Sequence, residues 1–268
     1  MILHAILLGI IQGLTEFTPV SSSAHLVAIP QILGWRDMGL SFDVALHWGT
    51  LAALVVYFRR DWAAILSSFA RRRDDSESDV GGRMLVPIVV ACVPAALAGI
   101  LLDKRIEALR EWPMLIPAIA CVLIGVGLVM LLAEKVGKRQ RKIDQMNRLD
   151  YAVIGIAQAL ALFPGVSRSG ITISAGLFRG LDRPAAARFS FLLSTPIIFG
   201  AGLVKLKDLA STGLPYGQLA PFALGFLTSA LSGYFAIVFL MSYLTKRPMN
   251  VFVAYRVVFA VALLLASQ

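Results

Sequence analysis

The chain has 268 residues, of which 58% are hydrophobic and only 15% are charged, and its mean hydropathy is +0.77. About 25% of the residues of a soluble globular domain are charged, so this composition excludes a soluble protein and indicates a membrane protein. The net charge of +9 arises from short basic clusters between apolar runs and not from one basic face, which argues against nucleic acid as a partner. The bilayer is the expected partner of these clusters.

Six apolar runs are long enough to cross a bilayer core of about 30 Å, which takes roughly 20 helical residues. They are residues 42–58, 84–102, 113–133, 188–206, 219–244 and 250–267. The loops 59–83 and 134–148 and the pair Lys246 and Arg247 supply basic residues between these runs, so the positive-inside rule predicts that they are cytoplasmic. The C-terminus then emerges outside.

The chain start and the two cysteines suggest no separate function. The start, MILHAILLGIIQG, lacks the basic region and the small-residue cleavage site of a signal peptide, so it is expected to remain in the fold. Cys92 and Cys121 lie in apolar segments without metal-ligand or redox spacing, and we interpret them as small core residues.

Two further segments, 1–37 and 149–182, are apolar but interrupted in the middle by Pro, Ser and Gly. Each half has roughly 11 to 14 residues, hence about 17 to 21 Å of helix, which reaches only the mid-plane. We predict that both are re-entrant helical hairpins, the first entering from outside and the second from the cytoplasm. Two ordinary kinked spans are the alternative.

The two interrupted segments are related in sequence. Residues 9–25 align with residues 155–171, with the identical pairs Gly9 and Gly155, Ile10 and Ile156, Gln12 and Gln158, Leu14 and Leu160, Phe17 and Phe163, Val20 and Val166, Ser21 and Ser167, and Ser23 and Ser169. Opposite entry of related units is typical of an inverted-topology repeat, which brings a binding site to the middle of the membrane. The predicted fold is therefore an all-α membrane protein of one domain, with six transmembrane helices and two re-entrant hairpins. Its repeats are about 1–133 and 149–268, joined by the basic loop 134–148.

The first interruption, QGLTEFTPVSSSAH, holds polar residues that are costly inside a membrane unless they are used or satisfied. Gln12 and Glu16 are four residues apart and share one helix face. A carboxylate near the mid-plane must be paired, protonated or bound to a cation, and a capping or snorkelling glutamate is the alternative. The returning helix is expected to start near Ser22 or Ser23, because serine is a favourable N-cap.

The second interruption, PGVSRSGIT, repeats this arrangement with an arginine. Pro164 and Gly165 are expected to end the incoming helix and Ser169 to cap the outgoing one, with Arg168 between them. Two helix N-termini, an arginine and several hydroxyl groups in a medium of low dielectric constant would form an anion site that suits phosphate. Serines that act only as caps are the alternative.

Other polar residues give weaker indications. His47, four residues after Asp43, either lines the site or makes an interhelical hydrogen bond. His4 and the three arginines that follow the second interruption are expected at the membrane interfaces, the arginines on the cytoplasmic side: Arg179, Arg183 and Arg188.

The combination of Gln12-x-x-x-Glu16, PVSSSAH and PGVSRSGIT resembles the bacitracin-resistance type of undecaprenyl-diphosphate phosphatases, along essentially the whole chain. The resemblance implies hydrolysis of undecaprenyl diphosphate, a polyprenyl diphosphate lipid, to undecaprenyl phosphate and inorganic phosphate, which recycles the lipid carrier for cell-wall synthesis. It implies a bacterial inner-membrane enzyme whose site opens to the periplasmic side and which uses a divalent cation, Mg²⁺ or Ca²⁺. A monomer and a homodimer are both compatible with it.

Motif positions assign the family's functional residues to this chain. The catalytic residues implied are Glu16, Ser22, His25 and Arg168, with Glu16 also the metal ligand. The implied phosphate-binding residues are Gln12, Ser21, Ser23, Ser167, Ser169 and Thr172. The family accepts Glu or Gln at the first motif position, so Gln12 removes one ligand charge. Ser23 and Ala24 stand where Thr and Gly are common.

A mechanism follows as a hypothesis. Arg168 and the helix N-termini would hold the terminal phosphoryl group, while a cation near Glu16 neutralises the bridging and leaving oxygens. Ser22 is the candidate attacking group, with His25 or Glu16 accepting its proton; a water held by Ser22 and Glu16, or His25 itself, are the alternative nucleophiles.

Two other classes compete with this hypothesis. A polyprenyl-phosphate transporter or flippase would use the same inverted repeat and anion site. A second membrane phosphatase superfamily uses PSGH and SRxxxxxH segments, but no histidine follows Arg168 in this chain, which removes the histidine nucleophile of that mechanism.

Overall fold

The computed structural model describes residues 1–35, 38–70, 80–109, 112–212 and 218–267, and across these residues the regular structure is helical. The α-helices are α1 (Ile2–Phe17), α2 (Ser22–Ile32), α3 (Leu40–Tyr57), α4 (Arg59–Ala70), α5 (Val80–Ala108), α6 (Leu115–Val136), α7 (Arg148–Leu160), α8 (Arg168–Phe178), α9 (Arg183–Thr212), α10 (Leu219–Lys246) and α11 (Asn250–Ala266). The 3₁₀ turn Ile143–Gln145 and an isolated bridge between Arg141 and Leu181 lie in the loops. No described residue belongs to a β-strand.

Five helices in the described part of the chain are long and apolar enough to cross a membrane. These spans are Leu40–Tyr57, Met84–Leu102, Leu115–Val136, Arg183–Lys205 and Leu219–Lys246. The sixth predicted span, 250–267, corresponds to α11, which is apolar but has only 17 residues. The prediction of an all-α, multi-pass membrane protein is thus confirmed.

The stretch 59–83, predicted as a basic loop, contains a helix, α4, that the hydropathy pattern did not indicate. Ile65 of this helix is buried in the largest hydrophobic cluster of the protein. At the start of the same helix, Asp61 Oδ1 accepts a hydrogen bond from Arg188 Nε on α9 at 2.9 Å. The three arginines predicted at an interface all make ion pairs, Arg179 with Asp150, Arg183 with Glu134 and Arg188 with Asp61. The pairs connect loops and helices at one end of the molecule.

The two cysteines differ in their surroundings. Cys92 is half-buried, with its Sγ 3.9 Å from the carbonyl oxygen of Leu193, whereas Cys121 is exposed on α6. The prediction of a core position is therefore wrong for Cys121. In a membrane protein an apolar run can face lipid as well as the core, so hydropathy does not separate the two.

Both interrupted segments form pairs of short helices, as predicted. Helices α1, α2, α7 and α8 have 16, 11, 13 and 11 residues. At about 1.5 Å per residue they are about 24, 17, 20 and 17 Å long, so none reaches across a core of about 30 Å by itself.

The returning helices of both pairs begin in the same way. Ser21 and Ser167 are the N-caps, with φ of 76° and 68°, a left-handed conformation that is uncommon for serine. Their hydroxyl groups accept hydrogen bonds from Ala24 N at 3.4 Å and Gly170 N at 3.2 Å. The predicted helix start at Ser22 is confirmed. The predicted cap at Ser169 is wrong, because the chain reverses two residues earlier and Ser169 lies inside α8.

Each short incoming helix packs against a helix from the other half of the chain, α1 on α10 and α7 on α5. Small residues allow the close approach. A Cβ on Gly13 would lie 2.0 Å from Ser232 Oγ and 2.5 Å from Gly233 N, and one on Gly155 would lie 2.6 Å from Ala91 O. The two halves of the chain are therefore intertwined.

Replacing Gly13 with alanine is expected to lower the free energy of unfolding by about 2 kcal/mol, because the clashing atoms include backbone that can move only with α10. The matched control is Gly99→Ala, since a Cβ at Gly99 meets no heavy atom within 4 Å. Thermal unfolding in one detergent measures both variants. Equal midpoints for the two would show that the α1–α10 contact does not depend on Gly13.

The largest buried cluster includes residues of α3, α8, α9 and α10. Phe17, the last residue of α1, lies in it and contacts Phe191 edge to face, with ring centroids 5.5 Å apart. Because Phe17 follows Glu16 directly, this packing holds the end of α1 in place. The core thus fixes the position of the first loop.

Candidate active site

The carboxylate of Glu16 is the point at which the two interrupted segments meet. Arg168 Nη2 donates to Glu16 Oε1, and Ser22 Oγ donates to Glu16 Oε2. Gln12 Nε2 also donates to Oε2, at 3.1 Å, as expected for residues four apart on a helix. The Glu16 side chain is only 7% exposed and that of Arg168 13%. Four predicted site residues from two distant stretches thus form one hydrogen-bonded cluster.

The serines of the two loops reinforce this contact. Ser169 Oγ donates across to the carbonyl oxygen of Thr18 at 3.2 Å. Within each loop the two serine hydroxyls are also 3.2 Å apart, Ser21 with Ser23 and Ser167 with Ser169. The serine hydroxyls therefore follow the same pattern in each loop, and Ser169 also links the two loops.

Thr172 lies away from the loop tips. Its hydroxyl donates to the carbonyl oxygen of Arg168 at 2.7 Å and is 2.6 Å from Ser190 Oγ on α9. Thr172 is 1% exposed. In this position it fixes the first turn of α8 against α9, and through that turn it positions Arg168.

His25 has both ring nitrogens engaged. Nδ1 lies 2.7 Å from the carbonyl oxygen of Ser21, which can only accept, so Nδ1 carries the proton and Nε2 accepts from the Tyr255 hydroxyl at 2.7 Å. The ring stacks on Phe259 with centroids 4.1 Å apart. This geometry favours a positioning role for His25 and leaves Glu16 as the hydrogen-bond acceptor of Ser22.

Arg256 of α11 is a site residue that the sequence analysis missed. It is completely buried, and its guanidinium group donates to carbonyl oxygens on both loops. The acceptors are Pro19 at 3.3 Å, Gly165 at 2.8 Å and Val166 at 3.4 Å, and Nε donates to Leu123 at 2.9 Å. An arginine inside the last apolar run is costly in a membrane, so its position in the sequence could have identified Arg256 as a functional residue.

His47 of α3 lies at the edge of the cluster. Its Nε2 is 3.7 Å from Glu16 Oε2, and its Nδ1 is 2.7 Å from the carbonyl oxygen of Asp43. Of the two alternatives open for His47, the geometry favours the one in which it lines the site.

The arrangement has the parts that transfer of a phosphoryl group requires. The Ser22 hydroxyl is hydrogen-bonded to a carboxylate that can accept its proton. Helices α2 and α8 begin at Ser22 and Arg168, both of which donate to Glu16, and the N-terminal amides of a helix favour an anion. An anion entering here would replace Glu16 as the partner of Arg168.

A divalent cation fits the donor atoms of this site. Gln12 Oε1 is buried and has no hydrogen-bond partner in the described structure, although it belongs to the side chain that contacts Glu16. A carboxylate beside an unpaired amide oxygen offers the oxygen ligands that hard cations take. Among the described residues no group of three or more His, Cys, Asp and Glu could hold a metal ion, so phosphate oxygens and water would have to complete the coordination.

The fold and the site define a multi-pass helical membrane protein in which two broken helix pairs bring a serine, a carboxylate and an arginine together. Residues 5–262 match the model of the family described as bacitracin resistance protein BacA. The chain belongs to this family, so the resemblance drawn from the two motifs is confirmed.

Curated relatives match over nearly the whole chain. The chain is 48% identical to the undecaprenyl-diphosphatase of Geobacter sulfurreducens over 255 residues, which cover 95% of this chain and 94% of that protein. The undecaprenyl-diphosphatase of Moorella thermoacetica is 47% identical, with 97% of this chain and 95% of that protein covered. That of Thermodesulfovibrio yellowstonii is also 47% identical, with 97% and 95% covered.

Proposed function

We infer that the chain hydrolyses undecaprenyl diphosphate to undecaprenyl phosphate and inorganic phosphate, and so recycles the lipid carrier for cell-wall synthesis. Family membership and the names of the full-length relatives support this activity. The observation that carries it is the cluster in which Glu16 accepts from both Ser22 and Arg168. The cluster pairs a nucleophile with a base and places a cationic group beside them.

In the proposed reaction Arg168 exchanges Glu16 for the terminal phosphoryl group of the substrate and stabilises its equatorial oxygens. Glu16 accepts the proton of Ser22, whose Oγ forms a bond to the terminal phosphorus while the bond to the bridging oxygen breaks. Undecaprenyl phosphate leaves, and water then hydrolyses the phosphoserine to inorganic phosphate. In the alternative route a water held by Ser22 and Glu16 attacks the phosphorus directly.

Glu16 and Gln12 would hold the divalent cation, Mg²⁺ or Ca²⁺. When bound, the cation would neutralise negative charge on the bridging and leaving oxygens of the diphosphate. Ser21, Ser23, Ser167 and Ser169 supply hydroxyl groups near the loop tips, where they can bind the phosphate oxygens. His25 and Thr172 position Ser21 and Arg168.

We place the protein in the bacterial inner membrane as six transmembrane helices and two re-entrant hairpins, with the site open to the periplasmic side. The short helices, the matching backbone of Ser21 and Ser167 and the intertwined packing support the inverted repeat. The basic residues of 134–148 support a cytoplasmic position for that loop. The orientation can be tested with Lys138→Cys as the single cysteine of a chain in which Cys92 and Cys121 are replaced. Reaction of this cysteine with a membrane-impermeant reagent in intact cells would contradict the cytoplasmic position of the loop.

A transporter of polyprenyl phosphate is the second candidate, because broken helices are common in alternating-access proteins. Binding of an anion requires the arginine and the helix N-termini. It does not require a serine hydrogen-bonded to a buried carboxylate. The geometry of Ser22 therefore favours hydrolysis.

Phosphate release by the purified protein in detergent tests the proposed function. Wild type is expected to release phosphate from undecaprenyl diphosphate and to lose this activity in EDTA, while Ser22→Ala lowers the rate by about 10³-fold or more. Ser242→Ala, at an exposed position of α10, is the control and should match wild type. Full activity of Ser22→Ala would refute the role of Ser22, and turnover without a trapped phosphoserine would select the direct attack of water.

A further inference from the structure

The side-chain oxygen of Gln12 has no described partner at the most polar point of the site. Gln12 is 0% exposed and its Oε1 is buried, while its Nε2 is 3.1 Å from Glu16 Oε2. A buried amide oxygen without a partner costs about 1 to 3 kcal/mol. Rotation of the amide by half a turn exchanges its oxygen and nitrogen, so that Oε1 would face the carboxylate and Nε2 would take the position that has no described partner. Two acceptors can face one another when a cation lies between them.

His47 directs a third acceptor at the same carboxylate oxygen. Its Nδ1 is hydrogen-bonded to the carbonyl oxygen of Asp43, so in the neutral ring Nδ1 carries the proton and the lone pair is on Nε2. Nε2 is 3.7 Å from Glu16 Oε2. This hydrogen bond to a backbone carbonyl is also the arrangement that commonly fixes the tautomer of a metal-binding histidine.

We propose that His47 is a third protein ligand of the cation, with Glu16 Oε2, Gln12 Oε1 and His47 Nε2 as the protein ligands and with phosphate oxygens and water in the remaining positions. The inference rests on the cation of the proposed function and names a ligand outside both motifs. Neighbouring ligands of an octahedral cation with bonds of about 2.1 Å lie about 3.0 Å apart. The separations of 3.1 Å and 3.7 Å around Glu16 Oε2 are close to this value, so small side-chain movements suffice.

The ligand set bears on which cation is preferred. Ca²⁺ and Mg²⁺ take oxygen ligands, whereas imidazole favours the first-row transition metals. One nitrogen and two oxygens therefore shift the preference toward a cation such as Mn²⁺. The His47 side chain is 35% exposed, compared with 7% for Glu16, so His47 borders the buried cluster and does not lie within it.

Mn²⁺ binding to the EDTA-treated, purified protein tests this inference without a measurement of turnover. Loss of the free Mn²⁺ signal in electron paramagnetic resonance gives the affinity, and pulsed measurements detect nitrogen bound directly to the metal. Wild type is expected to bind Mn²⁺ with nitrogen coupling. His47→Gln should lose the coupling and bind Mn²⁺ about tenfold more weakly. The preference for Mn²⁺ over Ca²⁺ should fall with it.

His4→Gln is the matched control, because His4 stacks on Trp35 at the start of α1 and has no described contact with Glu16. It should bind Mn²⁺ and show nitrogen coupling like wild type. Glu16→Gln distinguishes the assignment of His47 as a ligand from the presence of a cation at Glu16. Binding that requires Glu16 but shows no coupling from His47 overturns the ligand assignment and leaves the hydrolytic function standing. Binding that is absent, or independent of Glu16, overturns both this inference and the cation of the proposed function.

Thermal unfolding of His47→Gln checks that the variant is folded. A midpoint equal to that of wild type together with lost nitrogen coupling supports the inference. If the midpoint falls, His47→Asn provides a second measurement, and nitrogen coupling retained in either folded variant would overturn the assignment.

Discussion

Arg168→Ala is expected to lower the rate of phosphate release by about 10³- to 10⁵-fold, the range found when an arginine that stabilises a phosphoryl transition state is absent. The guanidinium group lies beside the Ser22–Glu16 pair and is the only described cationic side chain in hydrogen-bond contact with that carboxylate. Without it, the charge on the phosphoryl oxygens would lack its main partner. Single-turnover rates with saturating protein measure the loss at the chemical step.

Two further variants define what Arg168 contributes. Arg168→Lys keeps the charge but not the planar fork, so an intermediate loss of about 10²-fold is expected. Arg60→Ala, at an exposed position of α4, should match wild type. A rate for Arg168→Ala within tenfold of wild type would mean that the arginine only pairs with Glu16 and takes no part in the reaction.

Arg256→Met is expected to destabilise the protein by about 3 kcal/mol or more and to abolish most of the activity. Methionine preserves much of the volume, but the loop carbonyl oxygens of Pro19, Gly165 and Val166 would lose the guanidinium donor, and a buried group left unpaired costs about 1 to 3 kcal/mol. Two of these acceptors, Pro19 and Gly165, belong to different loops. The variant should therefore loosen the contact that brings Ser22 and Arg168 to one carboxylate.

Thermal unfolding monitored by tryptophan fluorescence in detergent measures this effect. Arg59→Met is the control, since Arg59 is exposed and donates only locally, to the carbonyl oxygen of Val56 near the end of α3, at 3.0 Å. Its midpoint should remain close to that of wild type. If Arg256→Met unfolds at the same temperature as Arg59→Met, the guanidinium group does not hold the loops together.

His47 and Arg256 illustrate how a site is completed by helices outside its motifs. α3 brings His47 to Glu16, and α11 brings Arg256 to both loops and Tyr255 to His25. Neither helix carries a recognisable motif. The motifs supply the reacting groups, and the helices around them supply the positions of those groups.

Sequence alone determined the membrane class, the broken helices and most of the site. A long apolar run forms a helix in a bilayer, because the backbone must satisfy its hydrogen bonds within the segment. Pro, Ser and Gly clustered in the middle of such a run favour an interruption, whereas the single prolines Pro94 and Pro196 are accommodated inside α5 and α9. Glu16 and Arg168 were identifiable because a charge inside an apolar segment is costly, and the repeat indicated that their loops belong together.

Only the tertiary structure decided the contacts between segments distant in the chain. Which serine caps a helix depends on where the backbone turns, so Ser167 and not Ser169 became the cap of α8. The acceptors of Arg256 lie 90 or more residues away from it, and no local pattern encodes them. Hydropathy likewise could not tell that Cys121 faces outward, because lipid and protein core are equally apolar. Local chemistry can be inferred from adjacent residues, whereas the partners of a buried polar group are set by how the helices pack.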